Sequence, residues 1–377
     1  MTDPTVKGWC PGAYRPMMSG DGLIIRVRPR MGRLSAAQVL GLCKIAQAQA
    51  NGTIDLTNRA NLQLRGVDEA KHQDVLDALL VLGLLDKTPE DEARRNIIVA
   101  SVRDQNSPSE RLATELANRL SELPPLPAKF GFSVDADGPR QLANAPADIR
   151  IETAPKGIIV RADGSPVGQS VTEATAIDAV IAIAHWFCGS KADDIRRMAP
   201  HLANVPLPTE FAHVTTGPCA PDLTPGPVDQ GYVFGAPFGC LPAADLADLM
   251  HQTNATHFTV TPFRQFILNT ISASSNTPFI TAPNDARLTI DACTGAPACP
   301  AAMINTRIAA NTLAPKLNGK TLHVSGCTKG CARPRAADVV LVGNDGAFDL
   351  VQNGHPWDVP MLRGLTLDQA AKEIGRL

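Results

Sequence analysis

Four cysteines in the C-terminal third of the chain stand in two pairs, Cys293-Thr-Gly-Ala-Pro-Ala-Cys299 and Cys327-Thr-Lys-Gly-Cys331. Thiolates are soft ligands, and two loops that supply two each suit an iron–sulfur cluster of the 4Fe–4S type. Gly295, Pro297, Gly326 and Gly330 lie in or beside these loops. They permit tight turns whose backbone N–H groups can face cluster sulfurs. A structural zinc site is the chemical alternative, but zinc knuckles usually have shorter spacings. A third reading, four buried thiols acting as small hydrophobes, is weakened because all four fall in expected loops. Cys43 and Cys188 fall within or at the end of expected helices and read as core. Cys10, Cys219 and Cys240 lie near Pro or Gly, in expected loops. The eight histidines form no close pair at helical spacing, so no two-His, one-carboxylate iron site can be read. His185, His213, His257 and His323 are equally available as ligands.

These residues must be positioned by a chain of 377 residues, long enough for two or three domains. Its formal net charge of −2 argues against a general nucleic-acid binder, and 4% aromatic residues argue against a base-stacking platform. The longest apolar run, Ala78 to Leu85, is far shorter than a membrane span. Met1 to Pro11 has no apolar core, so no signal peptide is expected. Nine cysteines without an export signal fit reduced or metal-bound thiols in the cytoplasm better than a disulfide framework. No Gly-x-Gly-x-x-Gly follows an expected strand, so no nicotinamide domain is expected.

The positioning elements read as a duplication. Gly32 to Ser35 is a turn, and Ser35 with Gln38 forms a capping box opening a helix that carries Val39, Leu40, Cys43 and Ile45. Ile54-Asp-Leu-Thr follows as a strand. The order recurs in Gly239-Cys-Leu-Pro, a helix from Ala243 to about Thr253, and a strand from His257 to Thr261. Thr57 to Leu64 and Thr261 to Leu268 share one interval. Arg95 to Ser101 matches Arg287 to Cys293 without a gap, leading into helices near Ser107–Leu120 and Ala301–Leu313. Ser107 with Glu110 reads as another capping box, with Pro108 in the first turn. Leu126-Pro-Ala-Lys129 matches Leu317-Asn-Gly-Lys320, and the proline-rich stretch Pro200 to Pro227 joins the halves.

A Cys-x5-Cys pair followed by Cys-x3-Cys, in the second half of a duplicated chain, resembles the sirohaem sulfite and nitrite reductases. The resemblance implies an α+β fold in which two ferredoxin-like half-domains and two α/β domains are related by a pseudo-two-fold axis. The expected boundaries are 1–70 for an N-terminal arm and first ferredoxin-like repeat, and 85–200 for the first α/β domain. A Pro-rich linker at 201–228 leads to the second ferredoxin-like repeat at 229–282 and the cluster-binding α/β domain at 283–377. Thr57-Asn-Arg59 resembles the family's Thr-x-Arg, Arg95-Asn-Ile-Ile its anion-site strand, and Leu126-Pro-Ala-Lys129-Phe130 its lysine loop. Arg59, Arg95 and Lys129 are therefore pocket candidates, with Arg264 of Thr261-Pro-Phe-Arg264 a looser one. The second lysine of that loop is Gly131 here, which removes a proton donor and a charge from an anion site.

Trp9-Cys-Pro-Gly, Arg15-Pro-Met, Gly20 to Pro29 and Ser325 to Pro334 resemble the precorrin-3B synthase branch of that family. The branch implies an oxygen-dependent monooxygenase of aerobic cobalamin biosynthesis that hydroxylates precorrin-3A at C20 and closes a γ-lactone. It implies a 4Fe–4S cluster, a mononuclear non-haem iron, dioxygen, and an external electron donor or NADH, with no nucleic-acid or membrane partner. A sirohaem-dependent sulfite or nitrite reductase is the alternative, and an iron–sulfur electron carrier without a substrate is the alternative of another class.

Overall fold

The computed structural model describes residues 10–274 and 276–377. Trp9 of the N-terminal motif lies outside the described residues. Two five-stranded sheets form the centre. The first runs Met17–Ser19, Gly22–Val27, Leu62–Val67, Thr53–Leu56 and Cys240–Pro242. The second runs Gly226–Val228, Gly231–Gly235, Gln265–Leu268, His257–Val260 and Arg33–Ser35. Each repeat thus gives its short strand to the other's sheet. Leu241 pairs with Ile54, and Leu34 pairs with Phe258.

The exchange continues into the helices. Ala36 N–H donates to Thr256 at 2.8 Å, and Ala243 N–H donates to Gly52 at 2.9 Å. The expected capping box of Ser35 and Gln38 opens helix Ala36–Gln49, and its counterpart is Ala243–Thr253. Leu34, Ile54, Leu241 and Phe258 are buried in one apolar core. The repeats expected at 1–70 and 229–282 are therefore one woven unit. Separating them would expose the core of both.

The other two sheets repeat one pattern. Ile97–Val99, Phe132–Asp135 and Ile149–Ala154 run parallel, and Gly157–Ala162 turns back. Ile290–Ala292, Leu322–Ser325 and Ala337–Asn344 run parallel, and Ala347–Gly354 turns back. Helices Pro108–Asn118 and Glu173–Ser190 pack against the first of these sheets, and Thr306–Leu313 and Leu367–Arg376 against the second.

Four local expectations are corrected. Ser107 makes no cap; its hydroxyl turns to Asp137, which also accepts from Ser109 N–H at 3.1 Å, while Glu110 accepts from Arg33. The helix expected from Ala301 begins only at Thr306, capped by Asn305, because the residues before it are folded around the cysteines. The gapless match slips by one residue. Ala100 donates to Val134 as Cys293 donates to Val324, so Cys293 stands opposite Ala100 and not Ser101. Finally, 201–228 is no free linker. Val214–Thr215 adds a strand beside Val167–Val171, and Phe211 joins the adjoining core. Among the described residues no helix is long and apolar enough to cross a membrane.

Candidate functional site

The first cysteine loop is braced from within. Cys299 N–H donates to Gly295 at 2.9 Å, Ala302 N–H to Cys299 at 3.0 Å, and Ala296 N–H to Ile304 at 2.8 Å. Gly295 has φ +72°, a conformation that favours glycine. The second loop lies against it. Gly326 N–H points at Cys293 Sγ at 3.2 Å. Gly330, at φ +65°, leaves the space that Trp357 fills, since a Cβ there would stand 3.0 Å from its ring.

The four thiols share one neighbourhood. Burial pushes Cys331 above the ordinary thiol range, Lys329 opposes this, and Cys293, Cys327 and Cys299 add to it. Burial also raises Cys293, against the N–H groups of Gly326 and Gly295 and the Thr306 hydroxyl. A cationic iron–sulfur group would reverse the balance by favouring thiolates. With soft donors, loop glycines and an N–H already facing a sulfur, the residues fit a 4Fe–4S cluster.

Among the described residues, no three His, Cys, Asp or Glu side chains gather closely enough to hold a single ion. A four-iron cube spreads its thiolates wider than one ion does. The mononuclear iron implied by resemblance finds no such donor set among the described residues.

Cys293 and Cys331 open onto a cleft of about 1170 Å³ between the central sheets and both α/β units. Its described lining carries five arginines, Arg140, Arg264, Arg307, Arg333 and Arg335, against three aspartates. Four of the five are tied to carboxylates. Arg307 bonds Asp55 at 2.6 Å, Arg140 faces Glu152 at 3.5 Å, and Asp291 holds Arg264 at 3.1 Å and Arg333 at 2.8 Å. Arg335 is exposed and has no ion pair among the described residues. Cys219 to Leu223, from the proline-rich stretch, close one wall.

Of the four basic residues expected in the pocket, only Arg264 lines this cleft among the described residues. It stands at φ +57°, where the first repeat has Ala60, so the true counterpart of Arg59 is Phe263. Arg95 is committed elsewhere, binding Asp86 through two nitrogens at 2.8 and 2.7 Å and the Arg28 carbonyl at 2.9 Å. Arg59 and Lys129 do meet, because Arg59 Nη2 donates to the Lys129 carbonyl at 2.9 Å. Arg59 Nη1 is buried without a hydrogen-bond partner among the described residues.

Gly131 now has a steric reason. A Cβ there would come 2.6 Å from Asn96 Nδ2 and 3.0 Å from Arg59 Nη1, and Asn96 is itself bonded to Phe130. Arg333 and Arg335 follow Cys331 in Cys-Ala-Arg-Pro-Arg and were readable as cations beside a ligand. Arg140 and Arg307 come from distant segments and carried no local signal.

The outlying cysteines behave mostly as expected. Cys43 is buried in its helix, its thiol pushed up to about 12 by burial. Cys240 is an exception to its loop assignment, since it starts the strand given to the first sheet.

His323 is fully buried, and burial pushes its imidazole down to about 4, with Asp291 opposing and Arg333 and His355 adding to the shift. An unfolded histidine titrates near 6.5, so between these values the unfolded chain binds more protons. Stability present above pH 6.5 should therefore fall as pH drops toward 4, by up to about 3 kcal/mol from this residue. Urea unfolding at pH 7 and pH 5 measures the slope, which His323→Phe should flatten.

The duplicated arrangement, with crossed strands and paired cysteine loops on one cleft, is the nitrite/sulfite reductase-like fold. The family model for the nitrite/sulfite reductase ferredoxin-like half domain matches residues 15–82. The solved structure of the Mycobacterium tuberculosis NirA protein superposes with a TM-score of 0.68 at 20% identity, over 94% of this chain and 80% of that one. More particularly, the chain is similar to a precorrin-3B synthase of Sinorhizobium sp, at 28% identity over 92% of this chain and 83% of the relative. The resemblance read from the sequence is borne out at both levels.

Proposed function

We propose that the protein is an oxidoreductase of aerobic cobalamin biosynthesis, an oxygen-dependent monooxygenase converting precorrin-3A to precorrin-3B. The observation that carries this reading is the meeting of Cys293, Cys331 and five arginines on one cleft, in a chain similar to a precorrin-3B synthase. A precorrin is a large, carboxylate-rich tetrapyrrole. It suits a cleft above the usual small-molecule size whose fixed charges favour anions.

In this reading Cys293, Cys299, Cys327 and Cys331 hold a 4Fe–4S cluster, which when bound supplies one-electron transfer. The reaction places one oxygen atom of O2 on C20 and releases the other as water. Two electrons and two protons come from an external donor or NADH. Arg264 and Arg335 face the substrate carboxylates from the wall nearest the cysteines, while Arg59, buried off the cleft, braces the Lys129 loop. Asp291 positions Arg264 and Arg333 rather than meeting the substrate.

The test is anaerobic purification, iron and sulfide counting, and assay with precorrin-3A and oxygen. About four irons and four sulfides per chain with oxygen-dependent turnover is the expected result. A haem-like spectrum with sulfite turnover would favour the sirohaem reductase. Zinc without acid-labile sulfide would remove the cluster, and a cluster without precorrin binding would leave an electron carrier.

Arg335→Gln should weaken precorrin binding about tenfold, with less effect as salt rises, because the lost charge is exposed. Equilibrium titration at low and high salt measures it, with the iron content as control. Unchanged affinity would remove Arg335 from the binding set.

A further inference from the structure

One face of the first sheet is turned toward the first cysteine loop. Along Leu62–Val67, Leu62 and Leu64 enter the apolar core, so Gln63 and Arg65 face the other way, and Gln63 lines the cleft. Asp55, the register partner of Gln63, holds Arg307 at 2.6 Å, from the helix that follows the cysteine loop. Arg65 is buried, and its Nη2 reaches Ser19 Oγ at 2.8 Å and Asp21 at 3.2 Å. Across 233 positions of chain it also reaches the Ala298 carbonyl, at 3.2 Å.

That carbonyl belongs to the peptide that enters Cys299. Ser19 Oγ donates to the same oxygen at 3.3 Å, and Cys299 N–H donates to Gly295 at 2.9 Å. Both polar groups of this planar peptide are therefore held, which fixes the plane from which Cys299 departs. Beyond Cys299, Pro300 rests on the same hairpin turn, since a Cβ at Gly20 would stand 2.6 Å from Pro300 Cδ. Cys299 is thus seated on the Ser19–Asp21 turn from both sides.

We propose that Arg65 and the Ser19–Asp21 turn form a clamp that positions Cys299, with Arg65 acting through the Ala298 carbonyl. A side chain of the first repeat then governs how firmly the second half keeps the group its cysteines bind. The proposal rests on the reading that Cys293, Cys299, Cys327 and Cys331 hold a 4Fe–4S cluster. Partners that orient a ligand without touching the metal change metal affinity by about tenfold to a hundredfold. Asp21 pairs with the guanidinium and keeps it aimed at the loop.

The test begins with iron and sulfide counts on wild-type protein; a chain without a cluster removes the cysteine reading and this proposal with it. In cluster-loaded protein, Arg65→Met should release iron to a chelator about tenfold faster than wild type, with an altered EPR spectrum of the reduced cluster. Arg65→Lys, which keeps a cationic donor, should lie between the two. Cys43→Ala, which loosens the apolar core and not the loop, should release iron at the wild-type rate. Wild-type release and EPR in Arg65→Met would overturn the proposal, as would equally fast release from Cys43→Ala. Should Arg65→Met not hold its fold, Gly20→Ala decides, because it keeps Arg65 and Asp21 and pushes Pro300 off the turn. Iron should again leave faster, and release at the wild-type rate overturns the clamp.

Discussion

Cys293→Ser, purified without oxygen, is expected to keep only a small part of the wild-type iron and acid-labile sulfide and to show no precorrin turnover. The same outcome is expected for Cys299→Ser, Cys327→Ser and Cys331→Ser. A serine hydroxyl is a hard, weakly acidic oxygen donor where a four-iron cube needs a soft thiolate. At Cys293 the change also removes the sulfur that the Gly326 N–H faces at 3.2 Å, leaving the two loops without one of their mutual contacts. Cys43→Ala is the matched control. Cys43 sits with Val39 and Leu42 on the buried side of helix Ala36–Gln49, far along the chain from both loops. Its loss should lower the melting temperature and leave iron and sulfide at wild-type levels. Cys188→Ala, on helix Glu173–Ser190, should also keep its iron. Wild-type cluster content in any of the four serine variants would strike that cysteine from the ligand set.

Arg95→Gln should damage stability rather than binding. Its guanidinium spans both oxygens of Asp86, whose side chain is only 6% exposed, and reaches the Arg28 carbonyl besides. Removing one partner of such a pair leaves a carboxylate desolvated and unpaired, a loss of about 3–5 kcal/mol. A fold of this kind has only about 5–15 kcal/mol in total, so the variant should unfold at much lower urea. Asp86→Asn added to Arg95→Gln should recover much of the loss, since no charge is then stranded. Urea midpoints of wild type and the two variants measure this. The folded fraction of Arg95→Gln should bind precorrin normally, because the residue does not line the cleft. A tenfold loss of affinity at wild-type stability would restore Arg95 to the anion site.

The paired cysteine loops were legible in the chain itself. Cysteine spacing depends on local loops, and loops carry their own signals: glycines where φ is positive and cysteines at fixed intervals. The capping box of Ser35 and the helix of Ala243–Thr253 were legible for the same reason, being set by neighbours in sequence, whereas the turns expected at Gly32 to Ser35 and Gly239 to Pro242 are the two exchanged strands. Tertiary structure decided which charges meet. Arg59, Arg95 and Lys129 looked alike as basic residues on motif, yet Asp86 captures one of them, and Arg59 closes on the lysine loop. Arg140 and Arg307 reach the cleft only because distant strands bring them there, and Arg307 is held by Asp55 across 252 positions of chain. Two short strands cross between the repeats because each sheet can complete its edge and core only with the other's residues. Periodicity within one repeat cannot report that exchange. Local spacing determined the two cysteine loops and the capped helix starts, while long-range packing and charge pairing determined which side chains line the cleft.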